Sequence, residues 1–145
     1  CYREHMITVG IIDLDRDYDM VCSWWKEHKA QSPHRSMLPK LGVMAYSHGI
    51  PAAAAWCYMD NSVPVAMISW QVTNPTNAPR VSIRALEAAI SFICDTISDF
   101  GDGTGYGAVL TLAGKKSVKH LMERNGFKEL AAPHWEMVRV LKEAK

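Results

Sequence analysis

Four cysteines stand far apart in 145 residues, at Cys1, Cys22, Cys57 and Cys94, and no two of them form a Cys-x-x-Cys pair. That spacing excludes the usual structural zinc sites, so no metal is expected. It also offers no disulfide framework, which points to a reducing, cytoplasmic compartment. Long apolar runs are missing too. The strongest, Val63 to Trp70, has the length of a strand and not of a membrane span. Charge of one sign is lacking: 16 Lys and Arg stand against 15 Asp and Glu, a net charge of +1. Such a chain has no general attraction for nucleic acid or a membrane surface. No secretory signal opens it. Residues 1–5 read as the remnant of an expression tag and Met6 as the native start, so one domain is expected over 6–145.

What is present is a regular alternation of patterns. Ile7 to Leu14 is rich in β-branched residues and reads as a strand. Tyr18, Val21, Cys22 and Trp25 then fall at helical spacing, with Asp15 or Asp17 as the cap. Residues 31–41 hold two prolines and read as a loop suited to substrate contact. Three strands follow, Gly42 to Tyr46, Pro51 to Met59 and Val63 to Val72, joined by the turns Ser47-His48-Gly49 and Asp60-Asn61-Ser62. Ala52 to Ala55 is poor strand material, but its place between two turns decides for a strand.

Thr73 to Ser82, with Pro75 and Pro79, reads as a loop. Ile83, Leu86, Ile90, Ile93 and Ile97 then mark an amphipathic helix. Gly107 to Leu112 reads as a short strand, and Ser117 to Asn125 as a helix with Gly126 as its C′ residue. Phe127 to Leu130 and Trp135 to Leu141 suggest a closing strand pair. The order is β-α-β-β-β-α-β-α-β-β, an α/β chain with a mixed sheet and helices packed on it. The glycine-rich stretch Gly101 to Gly107 precedes a strand and does not link a strand to a helix, so it is read as a turn and not a phosphate loop.

This order resembles the GCN5-related N-acetyltransferase (GNAT) fold over nearly all of residues 7–141. Val72-Thr73-Asn74-Pro75 followed by Ala85-Leu86 is similar to the family's stretch from the fourth strand through the pyrophosphate loop into a helix. Ser117 to Phe127, ending Asn125-Gly126-Phe127, is similar to its last-helix motif. In overall style the chain is also similar to small acetyltransferase-like proteins of bacteriophages. The resemblance implies acetyl-coenzyme A as co-substrate and a primary amine as acceptor, on a small molecule, a protein or a modified nucleotide. Trp70, Gln71 and Val72 would line a pantetheine slot. Arg80, Val81, Ser82, Ile83 and Arg84, with Ser117, would meet the phosphates.

The departures from the family pattern are specific. The loop's glycine positions fall on Pro79, Val81 and Ile83. The positions of the usual glutamate base match Ala66 and Ile68, and that of the usual tyrosine acid matches Met122. Substitutes for acid and base are Ser69, Tyr58 and His134, each of which also suits a packing or turn role. The backbone N–H near Val72 is a candidate to polarise the thioester carbonyl. Two readings stay open, a catalytic N-acetyltransferase and a non-catalytic GNAT-like module that binds a ligand or partner. A homodimer is compatible with a free sheet edge and several tryptophans.

Overall fold

Asp13 begins the first helix: its carboxylate accepts from the N–H of Asp15, and the helix α1 runs Leu14–Glu27. The cap therefore lies before both aspartates expected for it, and the preceding strand, β1, is confined to Ile7–Ile11. The helix ends in paired bonds from Lys29 N–H to Lys26 C=O and from Ala30 N–H to Trp25 C=O, with Lys29 in the left-handed region at φ 60°. This is the Schellman arrangement, normally the place of glycine. The computed structural model describes residues 6–98, 106–113, 115–130 and 139. The chain divides into two units, residues 1–112 and 113–145.

In the first unit, β2 (Leu41–Ser47), β3 (Ile50–Met59), β4 (Val65–Thr73) and β5 (Ala108–Thr111) join β1 in a five-stranded sheet of order β1-β2-β3-β4-β5. The first three pairings are antiparallel and β4–β5 is parallel. The β2–β3 hairpin turns on His48 and Gly49, both at positive φ (51° and 79°), as a two-residue type I′ turn requires. After β4 a helix, α2, runs Pro79–Ser98.

The helix thus starts earlier than its apolar stripe suggests. Pro79 is its first residue, where a missing N–H costs nothing, and Ser82 N–H already bonds Ala78 C=O. Residues 79–82, expected as loop, are helical.

The two faces of the sheet carry different cores. Met44, Ala54, Trp56 and Val72 pack with Val21, Trp24 and Trp25 of α1. α2 lies on the other face, against β1 to β4. Ala52 to Ala55 are fully buried in the central strand, where small side chains let the layers approach from both sides. Gly42 is required for a close approach of another kind. A Cβ there would lie 2.4 Å from the indole nitrogen of Trp56.

The second unit contains α3 (Lys116–Arg124). Its end is a full Schellman motif: Gly126 N–H bonds Glu123 C=O, Phe127 N–H bonds Met122 C=O, and Gly126 has φ 90°. Phe127 to Leu130, expected as a strand, are irregular, and Trp135 to Leu141 are not among the fully described residues.

Candidate functional site

The feature that organises the site is a β-bulge in β4. Ala54 pairs with Val72 and Trp56 with Ser69, so Trp70 and Gln71 together oppose Ala55 alone. Trp70 sits at φ 60°, a conformation that costs a bulky residue about 1–3 kcal/mol. The bulge changes which face the strand presents. Ile68, opposite Cys57, belongs to the α2 side, and regular alternation would put Val72 there too. The extra residue returns Val72 to the α1 core instead.

The strained tryptophan is held from two sides. Its ring meets Trp25 edge-on at a centroid distance of 6.3 Å, and Trp25 stacks on Trp56 at 5.6 Å. Its Nε1–H donates to the Tyr58 hydroxyl at 2.8 Å, and that hydroxyl donates to the Met37 carbonyl at 2.6 Å. The loop before β2 is therefore tied to the bulge through Tyr58. It is also tied to α1, where the Tyr18 hydroxyl donates to Pro33 C=O at 2.8 Å and Arg35 pairs with Asp15. Tyr58, a candidate acid or base, has its only proton committed to a carbonyl.

Beside the bulge the sheet opens among the described residues. β4–β5 pairing ends at Ile68 opposite Thr111, while β4 continues to Thr73. Asn74 N–H bonds Ala52 C=O at 2.8 Å, which makes 74/52 and 72/54 the hydrogen-bonded pairs. The Val72 N–H thus faces β3 and is not the group near Val72 that could polarise a thioester. The backbone of Thr73 faces the open edge, where His28 Nε2, 2.9 Å from the Thr73 carbonyl, must be the donor. A side-chain bridge spans the fork: Gln71 Nε2 donates to Thr111 Oγ1 at 2.8 Å, and that hydroxyl donates to Ile68 C=O at 3.1 Å.

The connection from β4 to α2 is ordered by Asn74. Its amide donates to Pro51 C=O, and its Oδ1 accepts from the N–H and hydroxyl of Thr76. Asn77 follows, and its Nδ2 is a buried donor with no hydrogen-bond partner among the described residues. Next comes the first turn of α2, with Arg80 exposed, Val81, Ile83 and Arg84 half-buried and Ser82 buried. An orphan donor beside a helix N-terminus suits an acceptor-rich pyrophosphate. The missing glycines matter less here than in an extended loop. Val81 and Ile83 are helical, so their side chains radiate outward while the N–H groups point along the axis.

The sequence candidates are thus partly gathered. Tyr58, Ser69, Trp70, Gln71 and Val72 surround the bulge, and residues 80–84 form the start of α2. Ser69 shares the sheet face of Trp56. Ser117 is exposed in the second unit, and His134 lies outside the described residues. Ala66 and Ile68 are buried and apolar, so neither supplies a base. The Gln71–Thr111 bridge and the Tyr58–Trp70 link have no local signal in the sequence, because each joins strands that only the sheet brings together. Cys57 is a buried core thiol and Cys94 a half-buried one. Burial pushes Cys57 up to about 11, and Cys94 is also raised, first by burial and then by Asp95. Both are poor nucleophiles. No cluster of metal-ligating side chains occurs among the described residues, and none of their helices is long and apolar enough to cross a membrane.

No protein-family model matches the chain, and no curated protein matches it in sequence. Solved structures match in fold. A probable acetyltransferase of unknown function from meticillin-resistant Staphylococcus aureus has a TM-score of 0.65 at 14% identity, covering 93% of this chain and 99% of that one. The ribosomal-protein-S18-alanine N-acetyltransferase of Escherichia coli gives 0.62 at 17%, covering 87% and 80%. A GNAT-family acetyltransferase from Streptococcus pneumoniae gives 0.56 at 10%, covering 92% and 100%. The fold is the GNAT fold, as the order of elements implied.

Proposed function

We propose that this chain is an acetyl-coenzyme A-dependent N-acetyltransferase acting on a primary amine. The observation that carries the reading is the open edge of β4 past Ile68, set between the Trp70 bulge and the N-terminus of α2. The names of the fold neighbours, several of them acetyltransferases, point the same way.

The co-substrate supplies an acetyl group on a thioester. The first turn of α2, with Arg80, Arg84 and Asn77 Nδ2, would hold its pyrophosphate, and the β4 edge its pantetheine arm. The amine nitrogen attacks the thioester carbonyl carbon, so a C–N bond forms and the C–S bond breaks. Sulfur leaves with the electron pair and takes up the proton that nitrogen loses. The Thr73 N–H, turned to the open edge, is the backbone group suited to polarise the carbonyl. With apolar Ala66 and Ile68 in place of a base, the rate rests on positioning and on proton transfer through water. The acceptor amine, on a small molecule, a protein or a modified nucleotide, would enter beside Tyr58 and Ser69.

A second reading, a GNAT-like module that binds without turnover, is favoured by the Gln71–Thr111 bridge across the fork. Calorimetry with acetyl-coenzyme A and a thiol-release assay with an amine panel separate the two. No binding at high micromolar ligand sinks the first. Tight binding with no thiol release for any amine supports the second.

A further inference from the structure

Next to the bulge, on the α1 face of the sheet, lies apolar surface that α1 does not cover. Met67 is the cross-strand partner of Tyr58, and Leu110 is the β5 partner of Met67. Side chains at paired positions share a face, so Tyr58, Met67 and Leu110 stand side by side across three strands. Met67 is 36% exposed and Leu110 47%. The backbone of Met37, itself 42% exposed, meets the row at its edge, where its carbonyl accepts from the Tyr58 hydroxyl. The patch is continuous with the candidate site, because the same hydroxyl accepts from Trp70 Nε1–H. Its side chains are a thioether, a phenol and an isobutyl group, with no carboxylate among them.

We infer that this patch is the acceptor surface and that it selects an amine carried on an apolar or aromatic body, rejecting polycationic amines. The inference rests on the acetyltransferase reading and names its substrate class. Three physical arguments support it. Methionine and tyrosine offer adaptable and flat contact to an aromatic group. A polyamine or aminosugar would have to shed the hydration of several charges against a surface that returns no ion pair. An amine held in apolar surroundings also favours its neutral, nucleophilic form, which offsets the missing glutamate.

The test uses phenethylamine and spermidine as probes with the full chain. Phenethylamine is expected to have a kcat/KM at least about tenfold above that of spermidine, a difference of about 1.4 kcal/mol. Met67→Lys and Leu110→Lys are expected to lower phenethylamine binding at least about tenfold by calorimetry, while leaving acetyl-coenzyme A binding and the melting temperature unchanged. Met67→Leu, which keeps the apolar surface, is expected to retain it. Equal or better use of spermidine, or lysine variants that bind phenethylamine like the parent, overturns the inference alone. Absence of acetyl-coenzyme A binding in the parent protein overturns the acetyltransferase reading as well.

Discussion

Trp70 and Tyr58 are joined by a 2.8 Å hydrogen bond from the indole nitrogen to the phenol oxygen, and this bond fastens a left-handed tryptophan to the neighbouring strand. The phenol passes the link on to Met37. Tyr58→Phe removes both bonds and leaves the indole N–H without this acceptor. The expected cost is about 1–3 kcal/mol by urea unfolding. Proteolysis within residues 31–40 is expected to quicken, since the loop loses its tie to the bulge.

The fork between β4 and β5 supplies a second prediction. An arm lying along β4 competes with the Gln71–Thr111 bridge. Thr111→Val removes that bridge, and the affinity for acetyl-coenzyme A is expected to rise about two- to fivefold, the equivalent of part of one hydrogen bond. Calorimetry on parent and variant measures it. A weaker affinity in the variant means that the bridge helps to hold the ligand.

Gly42 faces the Trp56 indole with no room for a methyl group. Gly42→Ala is expected to destabilise by more than about 2 kcal/mol, because the clash lies in a fully packed core. The double variant with Trp56→Phe is expected to recover part of that loss relative to Trp56→Phe alone. A simple additive result in a double-mutant cycle contradicts the contact.

Lys29 occupies a left-handed C′ position. Lys29→Gly is expected to stabilise by about 0.5–1 kcal/mol by relieving the strain of a Cβ there. Thermal unfolding at constant pH checks it.

The buried thiol of Cys57 links stability to alkaline pH. In the folded chain it keeps its proton to about 11, whereas in the unfolded chain it ionises near the ordinary thiol value. Between those points the unfolded state has lost the proton and the folded state has not. The contribution is thus fully present below the unfolded value and is lost as pH rises through about 11. Urea midpoints are expected to fall over that range, and less steeply in Cys57→Ala. Because the folded thiol is neutral and enclosed, a disulfide reagent at pH 8 is expected to modify Cys57 only as fast as the protein opens.

Much of the fold was legible in local patterns. His48-Gly49 announces a tight hairpin, because both positions accept positive φ. The isoleucine stripe from Ile83 to Ile97 announces α2, and Gly126-Phe127 announces the end of α3. Where local reading missed, a physical reason is visible. Pro75 and Pro79 look alike as breakers, yet Pro79 opens a helix because a first helical residue needs no N–H. Helical spacing suggests Asp15 or Asp17 as the cap, yet the carboxylate that accepts a helix N–H is that of Asp13. Trp70 is a site residue by resemblance, and Tyr58 and Ser69 are nominated as substitutes for the missing acid and base. Nothing local foretold that Tyr58 would be bonded to Trp70.

The sequence by itself determined the strands β1 to β5, the helices α1 to α3 and their order, though not the strand expected over Phe127 to Leu130, because hydrophobic period, caps and turns are properties of neighbours along the chain. It therefore also determined the fold class, and it excluded a site built on the family's usual glutamate and tyrosine. Only the tertiary structure decided the bulge. Tryptophan has no local preference for a left-handed conformation, and Trp70 adopts one because Trp25, Tyr58 and the α1 core meet it there. The bulge in turn decides which face Val72 joins, and the end of β5 pairing at Thr111 leaves the β4 edge beyond Ile68 open. Those relations depend on three strands and a helix being packed together, and no window of the chain contains them all.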